Sequence, residues 1–146
     1  MANLKVRIGT LSNSGSNRDY VYRDINSNLL LNSNKTDVVT NDDVNAVFGS
    51  IKNIFDYKPG ERILEPEFGM NFGGLLYEPM NENTANTLGM TIHNTLKRWE
   101  PRIILGPIDI VPDFDDNTYY ITVNFSIKSV KTNENYQFNY ALRRSL

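Results

Sequence analysis

The sequence predicts an α+β fold in which two main helices pack on a small mixed or antiparallel sheet that ends in a C-terminal β-hairpin. Apolar residues recur at helical spacing in two early segments, residues 41–55 and 83–99. After residue 103 the period changes to two, which is typical of strands. Helices that lead and strands that follow favour α+β over a parallel α/β fold, in which the two alternate along the chain.

The chain is predicted to consist of an extended N-terminal arm, residues 1–40, and a single α+β domain, residues 41–146. The arm is polar, poorly periodic and rich in asparagine, so it cannot build a core alone. One short strand is expected within its run DYVYRDI, residues 19–25. The 146 residues suffice for one ordinary domain.

Each helix carries its apolar residues on one face. Thr40 or Asn41 is expected to cap the first helix, which the run YKPG ends. The loop of residues 58–80 is rich in proline and glycine and is expected to hold a short helix near residues 71–77. The apolar stripes are Val44, Val47, Phe48, Ile51, Ile54 and Phe55 in the first helix, and Ala85, Leu88, Ile92, Leu96 and Trp99 in the second.

Three later segments predict strands. The run IILGPIDIVPD is interrupted by Pro107 and Pro112, whereas TYYITVNFSI and YQFNYAL alternate cleanly. No proline follows Pro112, so an exposed edge there would be an aggregation liability unless a partner strand pairs with it. The flanking cations Lys128, Lys131, Arg143 and Arg144 could limit unwanted pairing. One face of the two clean strands carries Tyr119, Ile121, Val123, Phe125 and Ile127, then Tyr136, Phe138, Tyr140 and Leu142.

The composition excludes several classes of function. A net charge of −2 gives no basic footprint for nucleic acid, and no apolar run approaches the roughly 20 residues that cross a bilayer. The chain has no cysteine and its first ten residues lack a secretory apolar core, so we expect synthesis in a cytoplasm. His93 is the sole histidine and adjoins an apolar stripe, and no metal site or cofactor is predicted.

Glutamates in the 58–80 loop are the most serious enzymatic candidates. Glu61, Glu65, Glu67 and Glu78 lie in or beside it, and a glycosidase needs two acids that flank a cleft at roughly 5–9.5 Å. Glutamate is common, and the sequence shows no set of tryptophans that would stack on sugars. Solvated or locally paired glutamates are therefore the favoured interpretation.

The triplet Glu100-Pro101-Arg102 follows the second helix. Pro101 disfavours the helical conformation for Glu100, so the helix should end at about Trp99. In extended chain Glu100 and Arg102 point to the same side, and we expect both to face outward. They form either a surface ion pair worth less than about 1 kcal/mol or a docking point that binds a partner through the arginine fork. The spacing alone favours neither.

Ordered motifs make the chain similar to a known family. GERILEPEFGMNFGGLLYEPMNENTA followed by KRWEPRI resembles the baseplate wedge, or sheath-initiator, family of contractile phage tails and related injection machines. The strong match covers residues 40–127, and YRDI at Tyr22 fits a short motif that often precedes it. The pattern consists of Gly60, Arg62, Pro66, Phe68 and Gly69 in the loop, then Leu76, Tyr77 and Glu78, then Glu100, Pro101 and Arg102.

The resemblance implies assembly rather than catalysis. It implies a place in the virion tail baseplate, assembled in the host cytoplasm, with Glu100, Pro101 and Arg102 docked on a core helical bundle of other wedge proteins. It further implies that the C-terminal strands template the first sheath ring by strand exchange with the sheath subunit, through Tyr119, Ile121, Val123, Phe125, Tyr136, Phe138 and Tyr140. The tail tube is a further candidate partner.

The alternative is a lysozyme-like enzyme that cleaves peptidoglycan with Glu61, Glu65 or Glu67. Whether the particle is a phage or a bacterial injection machine stays open.

Overall fold

The computed structural model describes residues 21–26, 39–128 and 134–144. Most of the predicted arm and Lys131 lie outside these residues. The described strands are β1 (Arg23–Ile25), β2 (Thr40–Asp42), β3 (Ile103–Asp113), β4 (Thr118–Ile127) and β5 (Asn135–Arg143), and the helices are α1 (Asp43–Asp56), α2 (Glu82–Trp99) and a short 3₁₀ helix at Leu75–Tyr77.

Both predicted helices are confirmed, but the start of α1 differs from the prediction. Thr40 and Asn41 do not cap it, because both lie in β2, and the cap position Asp42 makes no side-chain capping bond. Instead Asp43 begins the helix and reaches the arm: its Oδ1 accepts hydrogen bonds from the Val21 and Tyr22 amides, both at 2.9 Å. The start of α1 is therefore held by the arm.

The second helix has an ordinary side-chain cap. Asn81 Oδ1 accepts a hydrogen bond of 2.8 Å from the Thr84 amide and satisfies one of the free donors at the helix start. The helix ends at Trp99, as Pro101 predicts. The predicted apolar stripe faces the core, since Leu88, Ile92 and Leu96 are fully buried.

The predicted sheet is antiparallel, in the order β3-β4-β5, and β4 with β5 forms the expected C-terminal hairpin. A bulge between Leu105 and Ile108 interrupts the β3–β4 register at Gly106 and Pro107. The Asn124 side-chain amide donates a 3.0 Å hydrogen bond to the Pro107 carbonyl and fills part of the gap. The alternating residues of β4, from Tyr119 to Ile127, are buried on the face that carries the helices.

An aromatic cluster joins α1 to the hairpin. Phe48 meets Phe125 edge to face at a centroid distance of 5.4 Å, and Phe55 lies 4.9 Å from the Tyr140 ring. Such pairs add about 0.5–1.5 kcal/mol each beyond the area they bury. The inward faces of β4 and β5 are thus used by the protein's own core.

The described part of the arm forms a small ribbon. Strand β1 pairs antiparallel with β2, so that Asp24 lies opposite Asn41, and the Asn26 amide donates to the Val39 carbonyl at 3.0 Å. The short strand expected within residues 19–25 is confirmed. In the described ranges, no helix combines the length and apolar character that a membrane crossing requires.

One buried hydroxyl gives a test of this core. The Tyr119 side chain is fully buried, and its hydroxyl has no hydrogen-bond partner among the described residues. Burial raises the pKa of Tyr119 above its ordinary value of 10.0, Arg144 opposes the rise and Glu78 adds to it. Because the folded state holds the neutral form, stability is fully present below pH 10 and falls as the pH rises through the folded pKa.

We expect Tyr119→Phe to raise the free energy of unfolding by about 1 kcal/mol or more at neutral pH, because it removes an unsatisfied buried group. Its stability should also decline less steeply above about pH 10. Urea unfolding at several pH values measures both effects. Tyr120→Phe, on the exposed face of the same strand, is the control and should change neither. A clear loss of stability in Tyr119→Phe would contradict this description of the hydroxyl.

Candidate functional site

The candidate site is the corner between α2 and β3, where the helix stops and the sheet begins. Glu100 leaves the helical conformation, with φ −126 and ψ 74, while its amide still donates to the Leu96 carbonyl at 2.8 Å. Pro101 lies exposed at the turn, and β3 begins at Ile103. The prediction that the proline ends the helix and places an acid and a base side by side is confirmed.

Glu100 and Arg102 form a bidentate ion pair. Arg102 Nε donates to Glu100 Oε1 and Nη2 donates to Oε2, each at 2.7 Å. The Arg102 amide adds a longer contact of 3.3 Å to Oε1. Two parallel N–H···O bonds in this fork geometry are the strongest arrangement open to the two side chains.

The expectation that both charges face outward is wrong for Glu100. Its side chain is 1% exposed, whereas that of Arg102 is 22% exposed. The two side chains do point to the same side and pair there: the Glu100 carboxylate is buried and neutralised by the bidentate pair, whereas the Arg102 guanidinium stays partly accessible beside Asp24. The hydrogen bond with Glu100 raises the pKa of the Arg102 guanidinium above its ordinary value, although burial opposes the rise.

The same arginine binds the arm. Arg102 Nη1 donates to Asp24 Oδ2 in β1 at 3.1 Å, and the guanidinium carbon lies 5.5 Å from the centre of the Tyr22 ring. The Tyr22 hydroxyl donates to the Lys128 carbonyl at 3.1 Å. We call Glu100, Arg102 and Asp24 the corner triad.

Lys128, directly after β4, binds the backbone of the corner. Its amide donates to the Arg102 carbonyl and its ammonium donates to the Pro101 carbonyl, both at 2.8 Å. The turn around Pro101 is therefore fixed from the sheet as well as from the helix.

The roles of Asp24 and Tyr22 were not predictable from the sequence. Only the motif YRDI pointed to them, and nothing in the spacing connects a residue of the arm with an arginine 78 positions later. The link depends on how the arm folds back, which local patterns do not encode.

The loop motif packs on the same corner. Gly60 adopts φ +95 and its amide donates to the Pro66 carbonyl at 2.7 Å, which closes the loop. The Arg62 guanidinium lies 4.1 Å from the centre of the Phe68 ring, and Phe68 meets Trp99 edge to face at 5.3 Å. The loop is thereby fixed against the end of α2.

Gly69 is required by close backbone contact. It adopts φ +107, and a Cβ there would lie 2.2 Å from the Tyr57 carbonyl oxygen. Glu78, the last residue of the predicted loop motif, has a different environment: it lies near enough to Tyr119 in β4 to influence that hydroxyl.

The loop glutamates are exposed and locally paired, as favoured from the sequence. Glu61 Oε2 accepts from the Lys58 amide at 2.9 Å, Glu65 pairs with Arg62 at 3.1 Å, and Glu67 pairs with Arg98. All three side chains are exposed to solvent, whereas a general acid of this kind needs a desolvated carboxyl group. No cluster of three or more potential metal ligands occurs within the described ranges.

The predicted strand-exchange residues fall into two groups. Tyr119, Ile121, Val123 and Phe125 lie in β4, the central strand, whose backbone is already paired on both sides. These four residues therefore lie away from both edges of the sheet, and their role in strand exchange stays a prediction. Tyr136, Phe138 and Tyr140 lie in β5, an edge strand, with their side chains packed against the core.

Comparison with known proteins assigns the family. The sequence model of baseplate wedge protein gp25 matches residues 16–132. The chain belongs to the gp25 baseplate wedge protein family. The match includes Asp24, the loop and the corner, and it ends before β5. Baseplate wedge protein gp25 of Enterobacteria phage T4 is 30% identical over 112 residues, which are 77% of this chain and 84% of that protein.

Solved structures share the fold. A candidate tail lysozyme from Geobacter sulfurreducens gives a TM-score of 0.63 at 24% identity, over 68% of this chain and 89% of that one. A chain in the baseplate of the anti-feeding prophage gives a TM-score of 0.58 at 18% identity, over 86% of this chain and 87% of that one. These likenesses concern the fold alone.

The corner triad predicts a strong energetic coupling. Arg102→Leu leaves the Glu100 carboxylate buried without its cation and should lower the free energy of unfolding by about 3–5 kcal/mol. The double variant Glu100→Leu/Arg102→Leu should lose clearly less than the sum of the two single variants. Urea unfolding of all three gives the coupling energy.

The matched control is Arg98→Ala, which breaks the exposed pair with Glu67. That change should lower the free energy of unfolding by no more than about 1 kcal/mol. If Arg102→Leu were no more harmful than Arg98→Ala, the buried pair would not hold the corner.

Proposed function

We propose that this chain is a structural, non-enzymatic component of the inner baseplate of a contractile tail. The main support for this proposal is that the gp25 family match includes Asp24 of the arm, the loop and the corner. These three parts pack against one another. A match confined to the helices and strands would support a shared fold, whereas this match also includes the loop and the corner with its exposed Pro101, which supports a shared assembly role.

The corner is the proposed docking point for the helical bundle of other wedge proteins. Glu100 is buried and holds the Arg102 fork in one orientation, which reduces the ordering cost when a partner binds. Arginine has five N–H donors, of which three are used by Glu100 and Asp24. The remaining donors and the exposed Pro101 ring would face the partner.

The edge of β5 is the proposed site for strand addition by the sheath subunit. Strand β3, at the other edge, is poorly suited to pairing with a partner strand, because it contains Pro107, Pro112 and a bulge. Strand β5 has nine residues with no proline, and its register with β4 is unbroken. A partner strand could extend the sheet there through backbone hydrogen bonds.

This proposal places the chain in the tail baseplate of a phage or of a related injection machine, assembled in the host cytoplasm. Its partners are other baseplate proteins and the sheath subunit, with the tail tube as a further candidate. The glycosidase alternative has no comparable support, because its candidate acids are exposed and paired with neighbouring groups.

Strand addition can be tested with lysine substitutions on the exposed face of β5. Gln137→Lys with Asn139→Lys should leave the fold and baseplate incorporation intact, because both side chains are exposed. Charges on an edge strand oppose pairing, so sheath growth from baseplates that carry the variant should fall about tenfold. Electron microscopy of reconstituted tails gives the fraction of baseplates with sheath.

The matched control is Ser126→Lys on the same face of the central strand β4, which offers no edge. Baseplates with Ser126→Lys should start sheath normally. Undiminished sheath growth with the β5 variant would exclude strand addition at this edge, and absence of the wild-type chain from purified baseplates would refute the whole proposal.

A further inference from the structure

The tip of the 58–80 loop carries two aliphatic side chains that are almost completely exposed. Ile63 is 97% exposed and Leu64 is 95% exposed. Both precede Pro66 in the run GERILEPEFG, and the core described above uses neither of them. Single exposed apolar residues are ordinary, but two adjacent ones at a loop tip are typical of a contact surface.

Contacts flank the tip on both sides. The hydrogen bond from the Gly60 amide to the Pro66 carbonyl closes the loop below it. Arg62, directly before the tip, lies over the Phe68 ring and forms an ion pair with Glu65 directly after the tip. Contacts on both sides of the tip reduce the conformational freedom that it would lose when a partner binds.

Arg62, the residue directly before the tip, shares a cleft with Asp24 of the corner triad. Arg62 lines a cleft of about 380 Å³ together with Asp24 and Ile25 of β1 and Ser50 and Asn53 of α1. Ile25 is a further exposed aliphatic residue at this cleft, and Asp24 is the residue that Arg102 holds. One partner that docks on the corner would therefore extend over the cleft to the tip.

We propose that Ile63 and Leu64 form an aliphatic anchor that inserts into an apolar pocket of the baseplate protein that docks on the corner. The inference rests on the proposed function and adds a specific contact to it. A protein pocket is favoured over a lipid surface, because the acids Glu61, Glu65 and Glu67 balance the cations Lys58, Arg62 and Arg98 around the tip. Attraction to an anionic bilayer requires an excess of Lys and Arg, which the tip lacks.

Burial of the anchor can be measured directly because the chain contains no cysteine. The variant Leu64→Cys places a single thiol at the tip, and its alkylation by a maleimide is compared in the free chain and in assembled baseplates. We expect at least tenfold slower alkylation in baseplates. Phe114→Cys, at the exposed β3–β4 turn, is the matched control and should react at similar rates in both. Ile63→Cys provides a second probe if Leu64→Cys assembles poorly.

A competition experiment tests whether the anchor contributes to binding. Ile63→Ser with Leu64→Ser should enter baseplates at least tenfold less than wild type when equal amounts are supplied. Its thermal midpoint should stay unchanged, since both side chains are exposed in the free chain. A large fall in the midpoint would show a structural role instead and would overturn the proposal.

The outcomes separate this inference from the proposed function. If the chain enters baseplates and the thiol still reacts at the free rate, the anchor is wrong and the proposed function stands. If the thiol of the free chain is already protected from alkylation and the free chain has the mass of a dimer, the tip binds a second copy and the proposal fails. Protection by anionic phospholipid vesicles would likewise overturn it in favour of a membrane contact. If the wild-type chain never enters baseplates, the proposed function fails and the anchor fails with it.

Discussion

The buried ion pair between Glu100 and Arg102 is the interaction on which the arrangement of the helix end, the sheet and the arm depends. A carboxylate that is 1% exposed is tolerated only with a cation in near-ideal geometry, and the bidentate fork provides it. The negative charge of Glu100 at the end of α2 interacts unfavourably with the helix dipole, but it fixes the orientation of the Arg102 side chain. Once fixed, that arginine has a further donor group for Asp24, so the helix end, the sheet and the arm meet at one side chain.

The loop and the arm are arranged around this corner. Phe68 packs on Trp99 and supports Arg62, while Asp43 at the start of α1 accepts hydrogen bonds from the arm beside Tyr22. Segments that are far apart in the chain thereby meet at the corner, and Phe68, Trp99 and Tyr22 connect them to the hydrophobic core. The gp25 family match includes all of these segments and ends before β5.

The regular elements were predictable from the sequence because periodicity and proline positions are local signals. The strands at Ile103–Asp113 and Thr118–Ile127 have the predicted bounds, and α2 ends where Pro101 requires. The direction in which Glu100 points was not predictable, because a two-residue spacing gives the relative side of two side chains and not which side is the interior. The central position of β4 was also not predictable, since strand order depends on long-range pairing. Asp24 was missed for the same reason, because its partner is a residue of the distant corner.

The central claim, that the corner triad fastens the arm to the domain, is tested most directly by amide hydrogen exchange in Asp24→Ala. The reporters are the amides of Asn26 and Asp43, which bond to Val39 and Tyr22 across the ribbon and its junction with α1. Loss of the hydrogen bond between the charged groups of Arg102 and Asp24 should speed hydrogen exchange at the Asn26 and Asp43 amides by roughly tenfold or more. The amides of β4 should keep their protection. Unchanged exchange at Asn26 and Asp43 would contradict the account, because the arm would then be held without the triad.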